Sequence, residues 1–324
     1  MNVLNPDFWI FVLVVAGIYA VFALGLQLQF GYGGLLNFGQ VGFALVATYT
    51  MGILVIRHGV DLWIASLVAV ALAMAAGMIA AVPTLRLRAF YLGIATIALS
   101  EIMRYLAQNL QGFTGGPQGS PNLLGPGFAG TYTKQWFALL NSIKEPLEPI
   151  LGELATRDTA MLIIVWAIVA VVMVLLSVLV RSPWGRALKA IREDEDAAAA
   201  MGKNVFLFRL QTFVVGSAIG GVAGILLALQ LAAFQPNDFR PILTFYGFVI
   251  VIIAGTARIG AIPLGAIIFA IIFAGTRFFT FFPFDQLQAG ERAYVRLIII
   301  GVILILFMRF RPQGILGRKE ELVL

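Results

Sequence analysis

Long apolar runs separated by short polar segments occupy the chain from one end to the other. Runs such as AMLIIVWAIVAVVMVLLSVLV are apolar on every face, which is typical of helices in lipid and not of the alternating strands of a membrane barrel. The pattern therefore predicts an all-α, polytopic transmembrane helix bundle with about 8 to 10 spans. The predicted spans are 8–27, 35–56, 62–83, 90–107, 159–180, 211–232, 242–257, 262–280 and 293–309.

Composition supports this fold class and narrows the chemistry. The 324 residues are 60% hydrophobic and 12% charged, with a mean hydropathy of +0.95, which is far outside the composition of a soluble domain of this length. The chain has no cysteine and one histidine, His58, so it lacks the ligands of a thiolate or multi-histidine metal site and any catalytic set built on these residues. It has no P-loop, because Gly202-Lys203 is followed by Asn204. We expect a chain without enzymatic activity, metal, cofactor or nucleic-acid partner.

The distribution of basic residues predicts the orientation. Segments 84–90, 181–209, 256–258 and the tail from Arg309 hold 13 of the 22 basic and 6 of the 16 acidic residues, a net of +7, which leaves 9 minus 10, or −1, for the rest. Basic loops are retained in the cytoplasm. The prediction is one transmembrane domain, 1–324, with its C-terminus inside. Its parts are an external loop at 108–158, further external segments QPNDFRP and FPFDQLQAGER, a cytoplasmic loop at 181–209 and a cytoplasmic tail at 310–324.

Four glycines and two uncharged amides interrupt the apolar pattern in GYGGLLNFGQ, residues 31 to 40. Irregular backbone at membrane depth is stable only where it is packed in protein or lines a cavity. We therefore expect a broken or re-entrant segment that contributes to a translocation pathway. The alternative is that the glycines only allow helices to approach each other. The pathway candidates in this segment are Gly33, Gly34, Asn37 and Gln40.

Two further features lie inside predicted spans. Glu101 and Arg104 are spaced i, i+3, which predicts an ion pair on one helix face. Ionisable residues in a membrane face the bundle interior or water, so both are pathway candidates, although extension of the side chains to the outer interface explains them equally well. The row Gly216, Gly220 and Gly224 has the GxxxGxxxG spacing that predicts close helix packing.

The loop at 181–209 contains residues that are typical of helix ends. Ser182 followed by Pro183 is typical of a helix start, and Gly202-Lys203-Asn204 is typical of a stop. The sequence predicts a short amphipathic helix pair on the membrane face, with the acidic residues 193–196 exposed. A docking surface for a partner is the functional interpretation, and a solvated connecting loop is the alternative. The external TGGPQGS, 114–120, is expected to be a flexible turn cluster, and a surface that faces an extracytoplasmic partner is the alternative.

Several blocks together resemble the branched-chain amino acid ABC permeases of the LivM type. They follow the family's order and cover nearly the whole chain. One stretch, IAGTARIGAIPLGA, departs from the usual Gly-Gly followed by Gly-Ser, because Thr256, Ala257 and Arg258 intervene. The matching blocks are GYGGLLNFGQVGFALVATY, LRLRAFYLGIATIALSEIMR, TGGPQG, SPWGRALKAIREDEDAAAAMGKNVFLFRL and FRPQGILG.

The resemblance implies a permease subunit of an ATP-driven importer in a prokaryotic plasma membrane. Its implied partners are a second related permease chain of the LivH type, two ATPase subunits that bind the ATP, an extracytoplasmic substrate-binding protein and membrane lipid. The implied cargo is a branched-chain or other aliphatic or neutral amino acid. Urea or short amides, carried by a related importer, and an ion-coupled secondary transporter are the alternatives.

The same resemblance assigns a role to the loop at 181–209. Gly185, Ala198 and Gly202 match the motif whose short helix docks on the ATPase in this family. The full set of residues expected to couple the chain to its ATPase is Gly185, Arg186, Arg192, Glu193, Asp196, Ala198 and Gly202.

Overall fold

Polar residues at the ends of the apolar runs set the helix boundaries. The side chain of Asp61 accepts a hydrogen bond of 2.9 Å from the amide of Trp63, and that of Asn204 accepts one of 3.1 Å from the amide of Leu207. Both caps satisfy N–H groups that have no partner inside their helices. Gly59 ends another helix with a φ of +64°, a conformation that favours glycine.

The computed structural model describes residues 5–124, 131–278, 289–311 and 313–316. All regular structure among these residues is helical. The helices are α1 (Pro6–Leu26), α2 (Gln40–His58), α3 (Leu62–Thr84), α4 (Ala89–Asn109), α5 (Gln111–Thr114), α6 (Ser120–Leu124), α7 (Thr131–Leu151), α8 (Arg157–Arg181), α9 (Pro183–Glu193), α10 (Glu195–Ala200), α11 (Val205–Leu231), α12 (Ile242–Ala254), α13 (Ile262–Phe278) and α14 (Ala289–Phe310), and a π-helical segment (Gln27–Tyr32) extends α1.

Six of the described helices are long and apolar enough to cross a membrane, namely α1 with its π-helical extension, α2, α3, α4, α8 and α11. Helices α12 and α13 pass the same test together, but a bend of 104° separates them, so they form a broken span or a re-entrant loop. The spans predicted at 242–257 and 262–280 are the two arms of this bent pair, because hydropathy alone does not reveal a bend. The part of α14 from Leu297 to Phe310 is a shorter apolar helix. The predicted polytopic helix bundle is confirmed, but the described residues supply six spans, or seven with the bent pair, and not the predicted 8 to 10.

Helices α1, α2 and α11 form the centre of the bundle. Helix α11 packs against both of the others. The buried share of the most apolar stretch is 72% in α1 with its extension, 67% in α2 and 72% in α11. It is only 33% in α3, 33% in α4 and 22% in α8. The outer helices turn large apolar side chains such as Leu67, Ile94 and Val178 away from the chain. Such a surface is stable only against lipid or another apolar chain.

The segment 108–158, predicted as a loop, is largely helical where it is described. It contains α5, α6 and α7, and the amphipathic α7 buries Trp136 and Leu140. The turn cluster 114–120 is also packed rather than free. The backbone N–H of Ser120 donates to the carbonyl of Phe234 at 2.8 Å, and the N–H of Phe234 donates to the hydroxyl of Ser120 at 2.9 Å. Helical periodicity over 131–151 is the signal that the loop prediction missed.

The predicted pair of short helices in the loop at 181–209 is confirmed. Helix α9 begins at Pro183, and α10 ends just before the turn that contains Gly202, whose φ is +77°. Most of the segment FPFDQLQAGER, predicted to be external, and much of the tail 310–324 lie outside the described residues.

Candidate functional site

The helix breaks where the glycines of the segment 31–40 predict it. The last turn of the first span is π-helical, residues 33–39 are not helical, and α2 begins at Gln40. Gly34 has a φ of +65°, which L side chains rarely adopt. Gly39 allows a close approach, because a Cβ there would lie 2.1 Å from the carbonyl oxygen of Thr96. We call residues 27–39, the π-helical turn together with the non-helical segment that follows it, the break.

Buried amide side chains hold the break together. Gln29, Asn37 and Gln40 are completely buried. Nδ2 of Asn37 donates to Oε1 of Gln29 at 2.9 Å and to Oε1 of Gln40 at 3.1 Å, while its Oδ1 accepts from the amide of Gly39 at 3.0 Å. The bond from Gly39 gives a backbone N–H of the non-helical segment a partner, and the other two satisfy the buried amide side chains themselves, as burial in a membrane protein requires.

The same amides attach the break to α11. Nε2 of Gln29 donates to the carbonyl of Phe213 at 3.0 Å, and Nε2 of Gln40 donates to the carbonyl of Gly216 at 2.7 Å. The glycine row makes room for these side chains, since a Cβ on Gly216 would lie 2.2 Å from Nε2 of Gln29 and one on Gly220 would lie 2.5 Å from Nε2 of Gln40. The row therefore packs α11 against buried amides.

The third glycine of the row, Gly224, packs against backbone. A Cβ there would lie 2.4 Å from the carbonyl oxygen of Ala44 in α2. Helices α11 and α2 thus approach each other closely along the predicted row, as small residues at a helix interface allow.

A second break, between α12 and α13, contacts the first. Tyr32 donates its hydroxyl to the carbonyl of Ala257 at 2.6 Å, and Nε2 of Gln27 donates to the carbonyl of Gly255 at 3.0 Å. Gly255 and Ala257 have φ angles of +113° and +56°. Although IAGTARIGAIPLGA departs from the family pattern, the helix breaks there.

The C-terminal block of the chain stabilises this second break. The amides of Ile315 and Leu316 donate to the carbonyls of Ile253 and Ala254 at 2.9 and 3.2 Å. These carbonyls belong to the last turn of α12 and would otherwise lack partners. The segment FRPQGILG thus ties the C-terminal end of the chain to the bent pair.

Helix α9 contacts the first break directly. Nη1 of Arg192 donates a hydrogen bond to the carbonyl of Gly31. The stem of the same side chain covers Gly34, where an added Cβ would lie 3.1 Å from Cγ of Arg192. Nζ of Lys189 lies 5.4 Å from the centroid of the Tyr32 ring, which is a cation–π contact. The loop predicted to receive a partner therefore touches the segment predicted to line a pathway.

The remaining loop residues divide into packed and exposed ones. Gly185 is packed at the junction of α8 and α9, where a Cβ would lie 2.2 Å from the carbonyl oxygen of Val180, and Ala198 is also buried. Arg186, Glu193, Asp196 and Gly202 are exposed. An ion pair of 2.7 Å between Arg209 and Glu195 holds α10 on α11.

Glu101 and Arg104 form the predicted ion pair, with a distance of 2.6 Å between Oε2 and Nη2. Arg104 is buried, and its Nη1 donates to Oδ1 of Asn237 at 3.3 Å. Gln108 donates to the same oxygen at 3.0 Å. This pair lies against the segment after α11 and not against the break, so the structure does not bring all six pathway candidates together.

Sequence analysis missed four residues that hold the break. The hydroxyl of Thr96 accepts from the amide of Phe38 at 3.1 Å, and that of Thr244 accepts from the amide of Val41 at 3.1 Å. Gln27 ends the predicted span 8–27, and Gln29 lies between that span and the next. Two glutamines in the apolar run LGLQLQF are a detectable signal, because uncompensated amides are costly in lipid. The two threonines carry no such signal. The missed residues are Gln27, Gln29, Thr96 and Thr244.

Residues 8–308 match the model of a family described as branched-chain amino acid transport system / permease component. The chain belongs to this family. It is 30% identical over 305 residues to the high-affinity branched-chain amino acid transport system permease protein LivM of Escherichia coli, covering 92% of this chain and 68% of that protein. It is 25% identical over 350 residues to the probable branched-chain amino acid transport permease protein LivM of Methanocaldococcus jannaschii, covering 95% and 93%.

A relative of the LivH type also matches. The permease protein LivH of Salmonella typhimurium is 25% identical over 323 residues, covering 93% of this chain and 92% of that protein. No solved structure gives a significant match. Family membership makes the chain a permease component, a multi-pass membrane protein with a role in transport. Within the described residues, no cluster of His, Cys, Asp and Glu could hold a metal ion.

Proposed function

We propose that this permease is one of two related membrane chains of an ATP-driven importer for branched-chain or other aliphatic amino acids. The names of its relatives support the cargo. Similarity to relatives of both the LivM and the LivH type supports a conduit built from two related chains. The sequence has no P-loop, so in this proposal separate ATPase subunits bind the ATP.

The contact between α9 and the break carries this proposal. Helix α9 lies at the end of α8 in the basic loop that we assign to the cytoplasm, within reach of an ATPase. Arg192 connects it to the carbonyl of Gly31, so a displacement of α9 changes the hydrogen bonding of the break. ATP binding and hydrolysis would thus favour one of two arrangements of the bundle through forces applied to α9.

The buried amides Asn37 and Gln40 supply the part of the bundle that can change its arrangement. Asn37 and Gln40 bond to each other and to neighbouring backbone in the present arrangement, with no charged group among them. Neutral hydrogen bonds are individually worth only about 1 kcal/mol net. The free energy of ATP binding is therefore sufficient to exchange an arrangement held by these bonds for another. Gly33 and Gly34 give the backbone between the π-helical turn and the amides its freedom to move.

The test is reconstitution in proteoliposomes. We expect this chain to accumulate leucine only together with a related permease chain, two ATPase subunits, the binding protein and hydrolysable ATP. A nonhydrolysable ATP analogue is the matched control and should give no accumulation. Leucine uptake by this chain alone under an ion gradient would contradict the proposal and favour a secondary transporter. Accumulation of urea or acetamide instead of leucine would contradict only the cargo.

A further inference from the structure

A cavity of about 540 Å³ lies where α8, α9 and the second break meet. Four basic side chains converge on it from three different elements. Arg181 ends α8, Arg186 and Lys189 lie on α9, and Arg258 lies in the second break. Tyr32 of the first break and Ser177 of α8 also line it.

The charge of this basic cavity is not balanced by the described part of the chain. None of the described residues in its wall is acidic. The ion pairs of the described residues are those of Arg104 with Glu101 and of Arg209 with Glu195, so none of the four cations has a carboxylate partner there. Four like charges around one cavity repel each other, and an anion between them removes that repulsion.

The surroundings of the cavity favour a lipid anion. The C-terminal end of helix α8 lines the cavity, and only 22% of the most apolar stretch of this helix is buried. Its exposed side chains Val171, Val174 and Val178 form a stripe at i, i+3 and i+7 that continues to Arg181 at the cavity. A phosphate held by the cations would therefore have an apolar helix face for its acyl chains directly beside it.

We infer that this basic cavity binds the headgroup phosphate of an anionic phospholipid, with the acyl chains along the exposed face of α8. Basic pockets between helices at a membrane surface are suited to such headgroups. The inference goes beyond transport and does not depend on the cargo. It has a structural consequence, because Lys189 and Tyr32 connect the cavity to α9 and to the first break. A bound headgroup would hold α9 against the membrane.

The test is lipid binding by the purified native assembly, measured by native mass spectrometry with phosphatidylglycerol and with phosphatidylcholine of the same acyl chains. We expect one tightly bound phosphatidylglycerol per chain. The double variant Arg181→Gln/Arg258→Gln should lower its affinity about tenfold or more. The double variant Arg86→Gln/Arg88→Gln removes two exposed cations from the same membrane face outside the basic cavity, so it is the charge-matched control and should bind as the wild type does.

Four results would overturn the inference. Equal loss of phosphatidylglycerol in both double variants, or equal binding of phosphatidylcholine, would show that no specific headgroup site exists. Displacement of the lipid by an equal concentration of inorganic phosphate would assign the cavity to a soluble anion. Release of the ATPase subunits by Arg181→Gln/Arg258→Gln, with unchanged lipid content, would assign it to an acidic protein surface. Retention of phosphatidylglycerol by Arg181→Lys/Arg258→Lys is the expected sign that charge, and not altered folding, governs binding.

Discussion

Arg192 in α9 donates a hydrogen bond to the backbone carbonyl of Gly31, 161 residues earlier in the chain. The amides of Gly33, Gly34 and Leu35 bond instead to Leu28, Phe30 and Gln29. A guanidinium thus meets a carbonyl that the interrupted helix leaves available. One side chain of the loop that we expect to meet the ATPase is thereby part of the intramembrane break.

Replacing Arg192 should separate binding of the ATPase from transmission of force to the break. Arg192→Gln removes a charge-assisted hydrogen bond, worth about 1.5 to 3 kcal/mol. We expect ATP-driven uptake in proteoliposomes to fall about tenfold or more, while the permease still co-purifies with its ATPase subunits. Arg309→Gln replaces an exposed cation at the end of α14, on the predicted cytoplasmic side, so it is the control and should transport normally. Normal uptake by Arg192→Gln would remove α9 from the transmission of force.

We expect no side chain to be tolerated at Gly34, for two reasons. A matched variant at Gly59 separates them. The φ of +65° at Gly34 costs an L residue about 1 to 2 kcal/mol, and an added Cβ would press on Cγ of Arg192 at 3.1 Å. Gly59 has a φ of +64° but nothing within 4 Å of its Cβ position. We expect Gly34→Leu to block uptake with normal membrane insertion.

The comparison with Gly59→Leu measures the effect of backbone strain alone on uptake. That variant should retain most of its uptake, because it carries the same backbone strain without the contact. Equal uptake by the two variants would mean that strain, and not the contact with α9, explains the sensitivity of Gly34. Wild-type uptake by Gly34→Leu would mean that these glycines serve only to pack helices.

Local signals in the sequence predict the local structure well. Gly34 indicates the break, Pro183 the start of α9, and the spacing of Glu101 and Arg104 their ion pair. All three depend on residues close together in the chain, where backbone propensity and helical spacing decide the outcome. The helix over 131–151 had such a signal in its amphipathic spacing, but the glycines and prolines before it favoured a loop.

The partners of the buried amides could not be predicted in this way. Gln29 bonds to Phe213 and Gln40 to Gly216, each more than 170 residues away. An amide in lipid has to find a partner, but its spacing in the sequence does not say which. The three cations of α9 illustrate the same limit. Arg186, Lys189 and Arg192 lie at i, i+3 and i+6, and the fold turns Arg186 and Lys189 to the basic cavity but Arg192 to Gly31.

The glycine row of α11 should be needed for folding and not only for transport. Gly220→Leu would place atoms where Nε2 of Gln40 lies, 2.5 Å from the Cβ position. Overpacking of this kind costs about 1 to 3 kcal/mol, and displacement of a buried amide adds about 1 to 3 kcal/mol. We expect a clearly lower melting temperature in detergent and a low yield. Gly301→Leu in α14, where nothing lies within 4 Å, should melt as the wild type does. Similar melting of both variants would contradict close packing at the row.

Gly202 tests where the ATPase docks. It is exposed, has a φ of +77° and has nothing within 4 Å of its Cβ position, so a substitution there disturbs no internal contact. Gly202→Glu should nevertheless abolish co-purification of the ATPase, because it adds bulk and negative charge to the proposed docking surface while insertion stays normal. Gly152→Glu is the matched control, since Gly152 also has a positive φ, +56°, and nothing within 4 Å, but lies in the predicted external segment. It should keep the ATPase bound. If both variants retain the ATPase, the docking surface lies elsewhere; if both lose it, backbone strain or misfolding explains the loss.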